Sequence, residues 1–225
     1  LLDFHNAPHE RRWRWSRQQI LMFNSNKNRK EMKKKSTIIT IAIVAVVAIW
    51  AVSAYNGLVN LDEGVANKWG DVETQYQRRA DLIPNLVNTV KGYAAHEQET
   101  LESVIAARSN ATQIKVDPEN LTPEKLAEYQ EAQGQVTSAL GKLLAITENY
   151  PDLKANQNFL ELQAQLEGTE NRINVARMNF NEATKKYNTA IRRFPKNILA
   201  GMFGFEKRSY FESQDGAETA PQVQF

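Results

Sequence analysis

TIITIAIVAVVAIWAVSA, residues 37–54, carries no charged side chain. In a helix rising ~1.5 Å per residue its 18 residues extend roughly 27 Å, close to a bilayer hydrocarbon core of about 30 Å. The segment is therefore read as a transmembrane helix over residues 37–55, with Thr37, Ile41, Val44 and Val47 along its body. Trp50 and Tyr55 stand at its C-terminal end, where amphipathic rings favour the membrane interface. Lys33, Lys34 and Lys35 come immediately before it, and the positive-inside rule then places the N-terminus in the cytoplasm and the remainder outside. A buried core helix is a poor rival, because such helices seldom run this far without a charge. A cleaved signal peptide finds small residues at Val52-Ser53-Ala54, with cleavage after Ala54, but the apolar run exceeds an h-region of about 7–15 residues.

Just upstream, Met32-Lys33-Lys34-Lys35-Ser36 reads as a natural start, a basic cytoplasmic segment over residues 32–36. Residues 1–31 show neither helical nor strand periodicity and are expected to be a non-native or disordered extension. Within them Arg11, Arg12, Trp13, Arg14 and Trp15 interleave basic and aromatic side chains, which suits anionic headgroups or nucleic acid. Five residues are weak grounds, and no nucleic-acid partner is expected.

Charge divides at the anchor: residues 1–35 hold ten Lys/Arg against three Asp/Glu, and residues 56–225 hold eighteen against twenty-three. The chain has no cysteine, so it has no disulfide, no thiolate metal site and no lipidated Cys, and its anchor must be peptide. After Tyr55, apolar residues recur at spacings of three and four from Leu58 through Val65, Trp69, Tyr76, Ile83 and Val90 to Ile105. Thr122 and Pro123 open another helix, as N-cap and first residue, whose stripe runs from Leu126 to Ile146. Tyr150-Pro151-Asp152 interrupts it, with Asp152 a candidate N-cap, and a last helix carries Phe159, Leu166, Ile173, Phe180, Tyr187 and Ile191. No segment reads as a strand. The expected fold is all-α: a transmembrane helix followed by an antiparallel up-and-down bundle over residues 56–195.

Pro84 lies inside the first stripe, where it removes a backbone hydrogen bond. A kink leaves three long segments; a reversal at Asp81–Pro84 gives four. With four antiparallel segments the C-terminal end returns to the membrane, and with three it points away. That end, residues 196–212, is aromatic, punctuated by glycine and flanked by basic residues, and either packs its Phe and Met side chains on the bundle or contacts a membrane or partner. Residues 213–225 are expected to be a disordered tail.

Motifs for chemistry are missing: there is no G-x-G-x-x-G, no Walker-type phosphate loop, no H-E-x-x-H and no Glu-x-x-His pair. His96 is the only histidine after the anchor, and its neighbour Glu97 would point about 100° away on a helix. No catalytic residue, cofactor or metal is expected. Arg78, Arg79 and Asp81, near Pro84, could form an ion pair with a facing helix that fixes register, or a charge cluster for a ligand. Glu167, Glu170 and Arg177 read as solvated charges on the last helix.

Several strings then carry a resemblance: Tyr55-Asn56-Gly57-Leu58-Val59, Arg78-Arg79-Ala80-Asp81-Leu82-Ile83-Pro84-Asn85-Leu86-Val87, and Glu148-Asn149-Tyr150-Pro151-Asp152-Leu153-Lys154-Ala155-Asn156. Across residues 32–212 the chain resembles LemA proteins. The resemblance implies a bacterial single-pass protein of the cytoplasmic membrane, its helical bundle facing outward, without an established enzymatic activity; a magnetosome relative within the family suggests membrane shaping or envelope assembly. Three functions compete. The first is a scaffold acting through self-association or a membrane protein partner in the lipid bilayer. The second is an adaptor for a membrane protease or other quality-control system, docking through Pro84, Asn85, Tyr150, Pro151, Asp152, Lys154 and Asn156. The third is an unrecognised enzyme with Arg79, Asp81 and Glu170 in an interhelical pocket.

Overall fold

The structure, a computed structural model, describes residues 9–118 and 121–212, and side chains at Met22, Ser25, Lys27 and from Arg29 onward. The basic–aromatic run Arg11–Trp15 and the tail 213–225 therefore lie outside the described side chains and residues. Every regular element is helical, with no strand among the described residues. The chain divides into two units, Leu1–Ala54 and Tyr55–Phe225.

In the first unit the chain is part of α1 (His9–Lys91). The helix takes in residues 9–31, which lack an apolar stripe; such a segment has no face to bury, and periodicity gives no sign of it. Among the described residues one helical stretch is long and apolar enough to cross a membrane, and its apolar window is almost wholly uncovered by protein. Ile41, Val44 and Val47 are all exposed. Thr37 and Thr40 donate their hydroxyls back to the Lys33 and Ser36 carbonyls at 2.9 Å, so neither needs water as an acceptor.

The second unit is a bundle of four antiparallel segments: α1 from Tyr55, α2 (Gln98–Gln113), α3 (Pro123–Thr147) and α5 (Gln157–Arg192). The short α4 (Pro151–Lys154) joins α3 to α5, and α6 (Lys196–Phe203) follows α5. The chain does not reverse at Asp81–Pro84. It reverses at residues 92–97, where the Tyr93 and Ala94 amides close on the Val90 carbonyl at 3.0 and 2.8 Å. Pro84 is accommodated because its ring faces solvent and because the carbonyl it leaves without a helical donor, that of Ala80, accepts Arg108 Nε from α2 at 2.7 Å. One side chain thus repairs the proline gap and ties α2 to α1.

The caps follow the sequence at α3, where Thr122 accepts the Lys125 amide behind Pro123. They differ at α5. Its N-cap is Asn156, accepting the Phe159 amide at 3.1 Å, while Asp152 sits inside the first turn of α4. The turn over Pro151–Lys154 consumes four residues before the last helix starts, which moves the cap downstream.

The core has two apolar clusters in succession. Nearer Tyr55, Trp69 and Tyr76 of α1 pack with Tyr129 of α3 and Phe180 of α5. Nearer the 92–97 turn, Ile83, Leu86 and Val90 pack with Val104, Leu143 and Phe159. After α6 the chain turns back along α5, and Phe211 packs against both Trp69 and Phe180, with ring centroids 5.8 and 5.4 Å away.

Candidate functional site

Between the two clusters lies a polar layer centred on Arg79. On α1 it falls between Tyr76 and Ile83, on α3 between Tyr129 and Val136, on α5 between Leu166 and Ile173, so each helix passes from one cluster through the layer to the other. Arg79 is 2% exposed. Its Nη1 donates to Thr137 Oγ1 at 2.8 Å and Glu170 Oε2 at 3.0 Å; its Nη2 donates to the Gln133 carbonyl at 3.0 Å and Gln133 Oε1 at 2.7 Å. The guanidinium also lies 5.1 Å from the Tyr76 ring centroid. A planar fork can reach acceptors on two helices at once, and each bond exists only at one register of α1 against α3 and α5.

Clefts of about 190 Å³ and 210 Å³ flank Arg79, one bordered by Glu73, Tyr76, Arg108 and Tyr129, the other by Thr137, Leu140, Leu166 and Glu170. Burial holds the Glu73 carboxyl above its ordinary range, against a smaller downward pull from Trp69. Burial likewise pushes the Tyr76 and Tyr129 phenols up, so both are protonated donors at neutral pH. The charged neighbours of Arg79 near Pro84 part company: Arg78 is exposed, and Asp81 is exposed and accepts Gln77 Nε2 at 2.7 Å. Arg79, Asp81 and Glu170 are thus not one constellation, since only Arg79 and Glu170 meet. No group of three or more His, Asp or Glu among the described residues is placed to hold a metal ion.

Tyr150, Pro151, Asp152, Lys154 and Asn156 lie together at the far turn, between α3 and α5. Tyr150 donates its hydroxyl to Glu97 Oε1 at 3.0 Å, and Asn156 Nδ2 donates to the Tyr93 hydroxyl at 2.9 Å, locking the α3–α5 turn onto the α1–α2 turn. The Tyr150 phenol is raised, chiefly by that bond to Glu97. Pro151, Asp152 and Lys154 are exposed on this turn, and Pro84 and Asn85 are exposed on α1. Lys154 pairs with Glu148 at 2.6 Å. His96 is exposed there too.

Sequence reasoning missed the residues that dock the C-terminal segment. Asn188 donates to the Arg208 carbonyl at 2.8 Å and accepts its amide at 2.9 Å; Asn181, two turns earlier on α5, does the same for Phe211 at 3.0 and 2.9 Å. Arg208 grips Asp62 of α1 with Nε and Nη2, at 3.1 and 3.2 Å. The available signal was two asparagines seven apart within a helix, a spacing that puts residues of low helix propensity on one face.

A family model described as the LemA family matches residues 68–225. The chain belongs to the LemA family. Among its relatives, magnetosome protein MamQ 2 of Paramagnetospirillum magneticum is 28% identical over 182 residues, 73% of this chain and 67% of that one. Magnetosome protein MamQ of Magnetospirillum gryphiswaldense is 28% identical over 189 residues, 75% and 70% of the two chains. Protein LemA of Metamycoplasma hominis is 25% identical over 164 residues, 73% and 71%. The Arg79 layer, the far turn and the docked C-terminal segment all lie inside the matched span, and the apolar window lies before it. That single apolar helix, with such relatives, fits a single-pass membrane protein of the LemA family.

Proposed function

We propose that this LemA-family chain is a non-catalytic, membrane-anchored scaffold of the bacterial envelope. Its N-terminus lies in the cytoplasm, and its bundle faces outward, binding itself or a membrane partner. One observation carries this: the apolar window 37–54 is left uncovered, while Arg79, the most deeply buried charge in the bundle, spends its terminal donors on Thr137, Glu170 and Gln133. Arg79 is thus engaged in holding three helices in register, and the uncovered apolar window offers a surface for the membrane. Confining the bundle to a bilayer raises its local concentration, so weak contacts between copies suffice for assembly. Lys33, Lys34 and Lys35, exposed before the span, support the orientation. The experiment is reconstitution of the purified full chain in detergent and in liposomes. Defined oligomers or deformed vesicles are expected; a strictly monomeric protein that leaves liposomes unchanged would defeat the proposal.

An adaptor for a membrane protease or quality-control complex is the second reading. The far turn favours it, because Pro151, Asp152 and Lys154 are exposed on a segment held rigidly by Tyr150 and Asn156. Photo-crosslinking in cells from positions 85 and 154 decides the matter: recovery of a protease subunit supports the adaptor, and recovery of self alone rejects it.

A further inference from the structure

The bundle's last helix leaves an apolar face uncovered. Phe194 is 81% exposed, and Ile198, Met202 and Phe203 are exposed after it, Met202 at 72%. Ile198 and Met202 lie one helical turn apart on α6, Phe194 precedes that helix in the turn from α5, and Ala200 on the other side is buried against the bundle. In sequence this segment carries four cations, Arg192, Arg193, Lys196 and Lys207, with Glu206 the one acid among residues 192–207.

The contacts of α6 fix where along the second unit it lies. The Phe203 ring is 4.8 Å from that of Tyr55, Phe205 is 5.8 Å from the same ring, and Lys196 Nζ lies beside Gly57. Tyr55 is the next residue in the chain after the apolar run ends at Ala54. An exposed apolar face at that level, rimmed by Lys and Arg, has the composition of a helix lying in the headgroup region, where apolar side chains enter the acyl boundary and long cationic ones reach the phosphates.

We infer that α6 is a second membrane contact: an interfacial helix seated in the headgroup layer of the bilayer that the anchor crosses, with its cationic rim on anionic lipid. The inference rests on reading residues 37–55 as a span. The rim selects lipid over a second copy of the chain, since two copies meeting through this face would bring like charges together.

The chain has no cysteine, so single labels can be placed without background. Full-length variants Ile198→Cys, Met202→Cys, Val47→Cys in the anchor and Met178→Cys on the exposed face of α5 are labelled with an environment-sensitive fluorophore. They are reconstituted into phosphatidylcholine vesicles with and without phosphatidylglycerol. Lipids carrying a quencher near the headgroup should reduce emission at 198 and 202 roughly twofold or more, more strongly when phosphatidylglycerol is present. Emission at 47 should respond to a quencher deep in the acyl chains, and at 178 to neither. If 198 and 202 behave like 178 while 47 is quenched, the interfacial helix is overturned and the span stands. A blue shift at 198 and 202 without lipid quenching overturns it as well, because protein then covers the face. An unquenched label at 47 overturns both the span and this inference.

Discussion

Arg108 offers a direct test of how the bundle tolerates Pro84. The Ala80 carbonyl is buried and has no helical donor, because position 84 lacks an N–H; Arg108 Nε supplies the bond at 2.7 Å. Arg108→Met keeps most of the aliphatic stem and removes the donor, leaving a buried acceptor unmet at a cost of about 1–2 kcal/mol. Pro84→Ala restores an N–H aimed at the same carbonyl, and an alanine in a helix interior is favoured over proline by at most about 3 kcal/mol. The informative quantity is the coupling. In the Pro84→Ala background the backbone replaces Arg108, so Arg108→Met should cost less by about 1 kcal/mol. Urea unfolding of the full chain in one non-ionic detergent, followed by far-ultraviolet circular dichroism for the parent, both single variants and the double variant, measures it. If Arg108→Met costs the same in both backgrounds to within about 0.3 kcal/mol, Arg108 is not the donor that repairs the proline gap.

Within the polar layer the two partners should be unequal. Glu170→Gln removes the counter-charge of a guanidinium that is 2% exposed, while Thr137 and Gln133 still accept from it, and should cost about 2–3 kcal/mol; Arg79→Met leaves a carboxylate whose side chain is 40% exposed and should cost about 1–2 kcal/mol, both read from the same unfolding curves. Asn188→Ala removes the two side-chain bonds to the Arg208 backbone and should loosen the C-terminal segment, seen as faster trypsin cleavage after Lys207 and Arg208 while the helical signal is retained. Glu73→Gln should raise the melting temperature at pH 7. Burial lifts the folded-state carboxyl above its unfolded value, so ionisation costs stability as pH rises through that range, and the variant's advantage should vanish below about pH 4, where both states are protonated.

The elements were legible where a long stripe or a cap marked them. Thr122-Pro123 announced α3, and the repeats from Phe159 to Ile191 announced α5, because burying one face imposes a period on the sequence. The reversal at residues 92–97 was not legible. Apolar spacing continues in phase through Val90 and resumes at Leu101, and the loudest breaker, Pro84, sits where a side chain distant in sequence replaces the missing bond. Arg79 was singled out, but its partners were not: Gln133 and Thr137 look like surface residues until α3 is set against α1. Asn181 and Asn188 were silent for the same reason, since what they bind is backbone arriving from the C-terminal segment.

The proposed function places a single span in the membrane and the bundle outside. Matched fusions of alkaline phosphatase and green fluorescent protein after Phe225, with a second pair at Met32, test it in bacterial cells. An active phosphatase and a dark fluorescent protein are expected at the C-terminus, with the opposite pair of signals at position 32. Cytoplasmic fluorescence from the C-terminal fusion would contradict it.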